Sequence, residues 1–128
     1  MKLSEKQQIF TKNIASLIVY ADLLGIGLTF GDAYRSNSQV LLNFFGYKVV
    51  KGGVLGIKLV KSRKVSNTLN SKHSSRLAVD FNFFINGKLT YKKSDLVELG
   101  EFWEGLHSLN RWGGNFKSFL DTPHFEMQ

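Results

Sequence analysis

The chain has 128 residues, 43% of them hydrophobic and 21% charged, which suits one compact domain over residues 1–128 and leaves little room for a second. Seventeen Lys and Arg against ten Asp and Glu give a net charge of +7, so an anionic partner is expected. The absence of cysteine excludes disulfides, thiolate metal ligands and a cysteine nucleophile, so any metal must be held by His, Asp and Glu.

The first residues lack the apolar core and small-residue cleavage site of a secretory signal, so synthesis for the cytosol is expected. The apolar stretch from Ile14 to Leu28 is interrupted by Ser16, Asp22, Gly25 and Gly27, so no membrane insertion is expected. Ser4 with Gln7 predicts a capping box, and Ile9 or Phe10, Ile14, Leu17 or Ile18, Ala21 and Leu24 recur at helical spacing, which predicts a helix over roughly residues 4–24. Ile26, Leu28 and Phe30 alternate with Gly27 and Thr29 as a strand that runs into a loop holding Arg35. Ser36 to Phe45 predicts a short helix with Val40, Leu41 and Phe44 inward, closed by Gly46, and Gly52-Gly53 turns a hairpin between Val49-Val50 and Val54 to Val60. Residues 61–76 are polar and aperiodic, a long surface loop. Leu77, Val79, Phe81 and Phe83 then share one face of a strand that Asn86-Gly87 turns into Lys88 to Tyr91. A second long helix capped by Ser94 or Asp95 follows, with Leu96, Leu99, Phe102 or Trp103, Leu106 and Leu109 inward, ending before Gly113-Gly114. His107 reads as a solvated helix residue, and a short strand over Thr122 to Glu126 closes the chain. Segregated helices and hairpins give an α+β class with a mostly antiparallel sheet flanked by helices.

Asp80 is the anomaly, a carboxylate in the middle of an apolar strand that needs a cation. His73, seven residues earlier, and His124, on another strand, can supply with it the two imidazoles and one carboxylate of a catalytic zinc site. Asp121 can stand beside that site as general base and acid, and Arg35 can supply a fixed positive charge for an oxyanion. A second reading stays open at this point: Asp80 paired with Arg76 or Arg111, Asp121 capping a turn, and the histidines packed without a metal.

Ser71-Lys72-His73-Ser74-Ser75-Arg76-Leu77-Ala78-Val79-Asp80 resembles the Ser-x-His-(x)6-Asp motif of the M15 zinc peptidases. Gly31-Asp32-Ala33-Tyr34-Arg35-Ser36 looks like the segment carrying their transition-state arginine, and Arg111-Trp112-Gly113-Gly114 with Asp121-Thr122-Pro123-His124-Phe125-Glu126 resembles their C-terminal elements. The resemblance implies a hedgehog/D,D-peptidase-like fold and one catalytic zinc held by His73, Asp80 and His124. It also implies Asp121 as base and acid, Arg35 as oxyanion stabiliser, Ser71 and Trp112 as substrate-pocket residues, and Glu126 orienting a ligand; for Ser71 a turn hydrogen bond and for Trp112 a place in the core stand as equal readings. Within the family the chain is most similar to phage L-alanyl-D-glutamate endolysins, which cut the peptidoglycan stem peptide after release through a holin-permeabilised membrane.

A D,D-carboxypeptidase or D-Ala-D-Ala dipeptidase of the same fold is the rival enzyme. A basic nucleic-acid-binding or cell-wall-binding module is the rival outside enzymes. No helix-turn-helix or RNA-binding sheet motif is present, so no nucleic acid partner is expected. Between Asp32 and Asp80 stand nine Lys or Arg and no acid, a stretch suited to anionic envelope polymers. Without an apolar dimer stripe, a monomer is expected.

Overall fold

The computed structural model describes residues 1–66 and 68–128; Asn67, within the expected surface loop, lies outside the described residues. The elements run α1 (Leu3–Leu23), β1 (Ile26–Phe30), α2 (Asn37–Phe45), β2 (Tyr47–Lys51), β3 (Ile57–Lys61), β4 (Ala78–Ile85), β5 (Lys88–Thr90), α3 (Lys93–Leu106), β6 (Asn110–Trp112) and β7 (His124–Met127), with a 3-10 turn over Gly113–Asn115. All strand pairs are antiparallel, and the class is α+β.

β4 is the spine of the main sheet. It pairs along Phe81 to Ile85 with β1, at its start with β7 (Asp80 opposite His124) and at its end with β5. Beyond β7 lies β6, giving the order β1-β4-β7-β6. Val79, Phe81 and Phe83 are buried on one face, as the period of two requires, and meet α1 and α3 in the core. The first helix contributes Phe10, Leu17 and Ala21, and α3 contributes Leu96, Leu99 and Trp103. Phe10 meets Trp103 edge to face at 5.6 Å, and Tyr20 stacks on Phe102 at 4.0 Å. Asp80 and Asn82 point to the other face of β4, away from that core.

Several local expectations are corrected. The Ser4–Gln7 capping box does not form: α1 starts one residue earlier, the Glu5 carboxylate accepts the Lys2 N–H at 2.7 Å, and the Gln7 amide donates instead to Ser75 O at 2.8 Å. Neither Ser94 nor Asp95 caps α3, because both lie inside its first turn, where Asp95 accepts from the Thr90 hydroxyl at 2.8 Å. Leu41 is exposed, so α2 buries a narrower face than its spacing implied. The second long helix ends at Leu106, and His107 is its C-cap, with Nδ1 accepting the Leu109 N–H at 3.1 Å. The chain then re-enters the sheet as β6, a strand of three residues that carries no periodic signal.

β2 and β3 form a separate two-stranded sheet with α2 packed against β2. Its helix is capped by Ser36, whose hydroxyl accepts from Gln39 N–H, and closed by Gly46 at φ 76°. A side chain at Gly46 would crowd the backbone of Ser62 to Lys64, so glycine is required there twice over. Among the described residues, no helix is long and apolar enough to cross a membrane.

Candidate metal centre

His73, Asp80 and His124 converge, with one ligand atom from each lying within 4.8 Å of the others. The β4–β7 register puts Asp80 and His124 side by side on the face opposite the core. His73 arrives from a turn over residues 72–76 whose hydrogen bonds run from Ser74 N–H to Ser71 O, Arg76 N–H to His73 O and Leu77 N–H to Lys72 O. Three further bonds fasten that turn: Gln7 to Ser75 O, Ser74 Oγ to Arg35 O at 2.8 Å, and Arg35 N–H to His73 O at 3.4 Å.

The tautomers follow from the partners. His73 Nδ1 faces the Ala33 carbonyl at 3.2 Å, and a carbonyl only accepts, so Nδ1 carries the proton. Its Nε2 then faces Asp80 Oδ1 at 3.3 Å, lone pair against lone pair unless a proton or a cation lies between them. The imidazole of His124 is held between two carboxylates, Nδ1 at 3.0 Å from Asp80 Oδ1 and Nε2 at 2.7 Å from Glu126 Oε2. Burial opposes a charge on that imidazole, but the hydrogen bonds to Asp80 and Glu126 and their negative charges outweigh it and raise its pKa to about 9. Burial likewise opposes a charge on Asp80, and the hydrogen bonds and positive charges of His124 and His73 hold it far below the usual carboxylate range.

This donor set fits a divalent zinc ion. Two imidazole nitrogens and one carboxylate oxygen converge at a half-buried point where the protein alone needs a proton to separate its acceptors. His73 through Nε2, Asp80 through Oδ1 and His124 through Nδ1 are the atoms that would hold it. Each remaining imidazole N–H already has an acceptor, Ala33 O and the Glu126 carboxylate.

The centre opens into a cleft of about 1070 Å³ whose walls include Arg35, Arg63, Lys64, Ser71, Phe116 and Asp121. A neighbouring shallow hollow of about 460 Å³ shares Asp32, Asp80 and Asp121 and is lined further by Asn82, Tyr91 and Leu120. Asp121 therefore stands between the two. Burial raises its pKa and the negative charge of Asp80 adds to the rise, while His124, His73 and Arg35 oppose it. The side chain of Arg35 is largely buried and gives Nη2 to Asp32 Oδ2 at 2.8 Å and Nη1 to Ser71 Oγ at 3.5 Å. Asp32 carried no expected role, although it lies inside the segment around Arg35. It aims the guanidinium, and its carbonyl accepts the Asp80 N–H at 2.7 Å. No spacing in the sequence signals either contact.

Arg76 and Arg111, the alternative partners of Asp80, are engaged elsewhere. The guanidinium of Arg76 lies 4.4 Å from the Tyr34 ring centroid, and Arg111 donates to Ser108 O and Asn110 O. Ser71 lines the cleft, but its Oγ accepts the His73 N–H at 3.2 Å as well as Arg35, which makes it a brace of the His73 turn. Trp112 does not line the pocket expected for it. Its indole is fully buried, and Nε1 donates to Thr122 O at 2.9 Å. A Cβ on Gly100 or Gly114 would overlap the indole ring, and one on Gly113 would overlap the Asp121 carbonyl. The Trp-Gly-Gly element thus holds the Asp121 turn against α3: Asp121 N–H donates to Gly113 O at 2.9 Å, and Glu104 accepts the Trp112 N–H at 3.0 Å.

Residues 64–127 match a family model of the M15 peptidases described as D-alanyl-D-alanine carboxypeptidase. Among solved structures, the crystal structure of the Serratia marcescens L-Ala D-Glu endopeptidase ChiX is similar over 100% of this chain and 87% of that one, with a TM-score of 0.65 and 17% sequence identity. At that identity the likeness is one of fold. No curated protein matches the chain in sequence.

Proposed function

The chain belongs to the M15 peptidase family, and from that premise we propose that it is a zinc-dependent peptidoglycan endopeptidase cutting the L-alanyl-D-glutamate bond of the stem peptide. The observation that carries this reading is the convergence of His73, Asp80 and His124 in an open cleft beside Asp121 and Arg35. Fold likeness to an L-Ala D-Glu endopeptidase supports the choice of bond. Bound at the three ligands, zinc would supply Lewis acidity and bring the pKa of water down toward neutrality.

The protein's own groups do the rest. Asp121, with its raised proton affinity and its place between cleft and hollow, takes the proton of the attacking water and passes it to the leaving amine. The Arg35 guanidinium, oriented by Asp32 and Ser71, offers positive charge to the oxygen on which negative charge develops. Glu126 keeps His124 in the tautomer that leaves Nδ1 free. No covalent enzyme intermediate is required. Arg63, Lys64 and Lys72 on the cleft wall suit a substrate bearing carboxylates and, beyond it, anionic envelope polymers. A monomeric phage endolysin, made in the host cytoplasm and released by a holin, is the setting this activity suits.

The family model's own description favours a second reading, hydrolysis of a D-alanyl-D-alanine bond at the same centre. Mass spectrometry of purified peptidoglycan digested by the zinc-loaded protein separates the two. New amino-terminal D-glutamate, absent after chelation and in His124→Ala, is the expected product. Released D-alanine assigns the D,D specificity instead, and absence of cleavage by a protein holding one zinc per chain overturns both.

A further inference from the structure

The fold gathers the middle of the acid-free stretch between Asp32 and Asp80 on the β2–β3 hairpin. Its register pairs Tyr47 with Lys61, Val49 with Leu59 and Lys51 with Ile57, so these six residues share one face, with Val49, Ile57 and Leu59 as its aliphatic members. In a sheet packed on a core such a face is covered. Here Val49, Ile57 and Leu59 are each more than half exposed. At the tip, Val54 and Leu55 are 103% and 89% exposed, on a turn closed by Gly52 N–H to Gly56 O at 2.9 Å and Gly56 N–H to Gly53 O at 3.2 Å. Lys51 stands on this face beside Ile57, and Lys48 and Lys58 stand on the opposite one. Such a concentration of exposed aliphatic side chains is costly in water and marks a contact surface.

The chemistry selects the partner. Aliphatic tips collared by lysines suit a lipid–water boundary, where the tips enter the acyl region and the lysine stems leave their ammonium groups at the phosphates. A glycan strand would be met by flat aromatic faces, and the one ring on this face, Tyr47, is already covered by the Lys61 ammonium 4.6 Å from its centroid. We propose that the β2–β3 hairpin docks the protein peripherally on an anionic phospholipid surface through Val54 and Leu55, with Lys48, Lys51 and Lys58 on the headgroup phosphates. β3 leads directly to Arg63 and Lys64 on the cleft wall, so the docking element and the cleft share a basic flank.

Sedimentation of the full chain with phosphatidylcholine vesicles, with and without phosphatidylglycerol, tests the proposal. Binding is expected to the anionic vesicles only, weakening about fivefold for each of Lys48, Lys51 and Lys58 changed to Gln. The double variant Val54→Asp, Leu55→Asp should bind about tenfold more weakly or worse, with an unchanged melting temperature because both side chains stand in solvent. Equal vesicle binding by that variant and the wild type overturns the proposal. So does binding to soluble polyphosphate as tight as to the vesicles, which would make the hairpin a general polyanion site. Self-association abolished by the double variant, without vesicle binding, also overturns it and makes the face a contact between copies of the chain.

Discussion

Asp121 and Glu126 are carboxylates close to His124 in sequence, yet they meet it on different terms. Glu126 touches the imidazole directly at 2.7 Å, whereas Asp121 acts on it through charge and gives its backbone carbonyl to the His124 N–H at 3.1 Å. Their isosteric amides should therefore fail differently. Asp121→Asn should keep one zinc per chain and lose turnover by about a hundredfold or more; near-normal turnover by the loaded variant would remove Asp121 from proton transfer. Glu126→Gln keeps a hydrogen-bond acceptor and loses the charge, so zinc affinity should fall about tenfold to a hundredfold. Competition with a chromogenic chelator measures it, and an unchanged affinity would mean that the Glu126 charge has no influence on the ligand.

Between β6 and β7 the glycines serve as spacers. Gly113→Ala should cost about 2 kcal/mol or more, because the new methyl overlaps the Asp121 carbonyl and also meets the His124 Cβ at 3.0 Å. Gly105→Ala, on α3 with open space around it, should instead leave stability unchanged or raise it by about 0.5–1 kcal/mol. Denaturant midpoints of the two variants compare the sites directly, and equal midpoints would refute the packing account. These elements also show what the sequence could disclose. The alternation around Asp80 placed β4 at the centre, and an acid on an apolar strand required partners, which are His73 and His124, because both follow from local pattern. For Trp112 the sequence leaves pocket and core equally open. A motif string records which residues recur together but not which side of the sheet they face, and the indole turned inward between two glycines. β6 was illegible because three residues, one of them Arg111, carry no period, and its place is set by pairing with β7.

Over the whole molecule, the centre couples stability to pH in opposite senses with and without metal. In the chelated protein the folded pKa of His124 lies near 9, above its ordinary value of 6.5, so its contribution is complete below pH 6.5 and is lost as pH rises through about 9. The depressed pKa of Asp80 contributes above its ordinary 3.8, and that contribution is lost as pH falls below it. Metal-free protein should thus be most stable between about pH 4 and 6.5. Zinc competes with the His124 proton, so its stabilisation grows with pH. The gap in melting temperature between loaded and chelated samples should widen from pH 6 to about 9, and a constant gap would argue against His124 as a ligand. The sheet order also imposes a sequence of events in time. The β4–β5 hairpin closes over Asn86-Gly87 alone, whereas Asp80 and His124 meet across 44 residues when β7 docks between β4 and β6. Pairings that close long loops form late. A refolding chain is therefore expected to form its helices and the β4–β5 hairpin before Asp80 and His124 meet, so the capacity to bind metal should be the last property it regains.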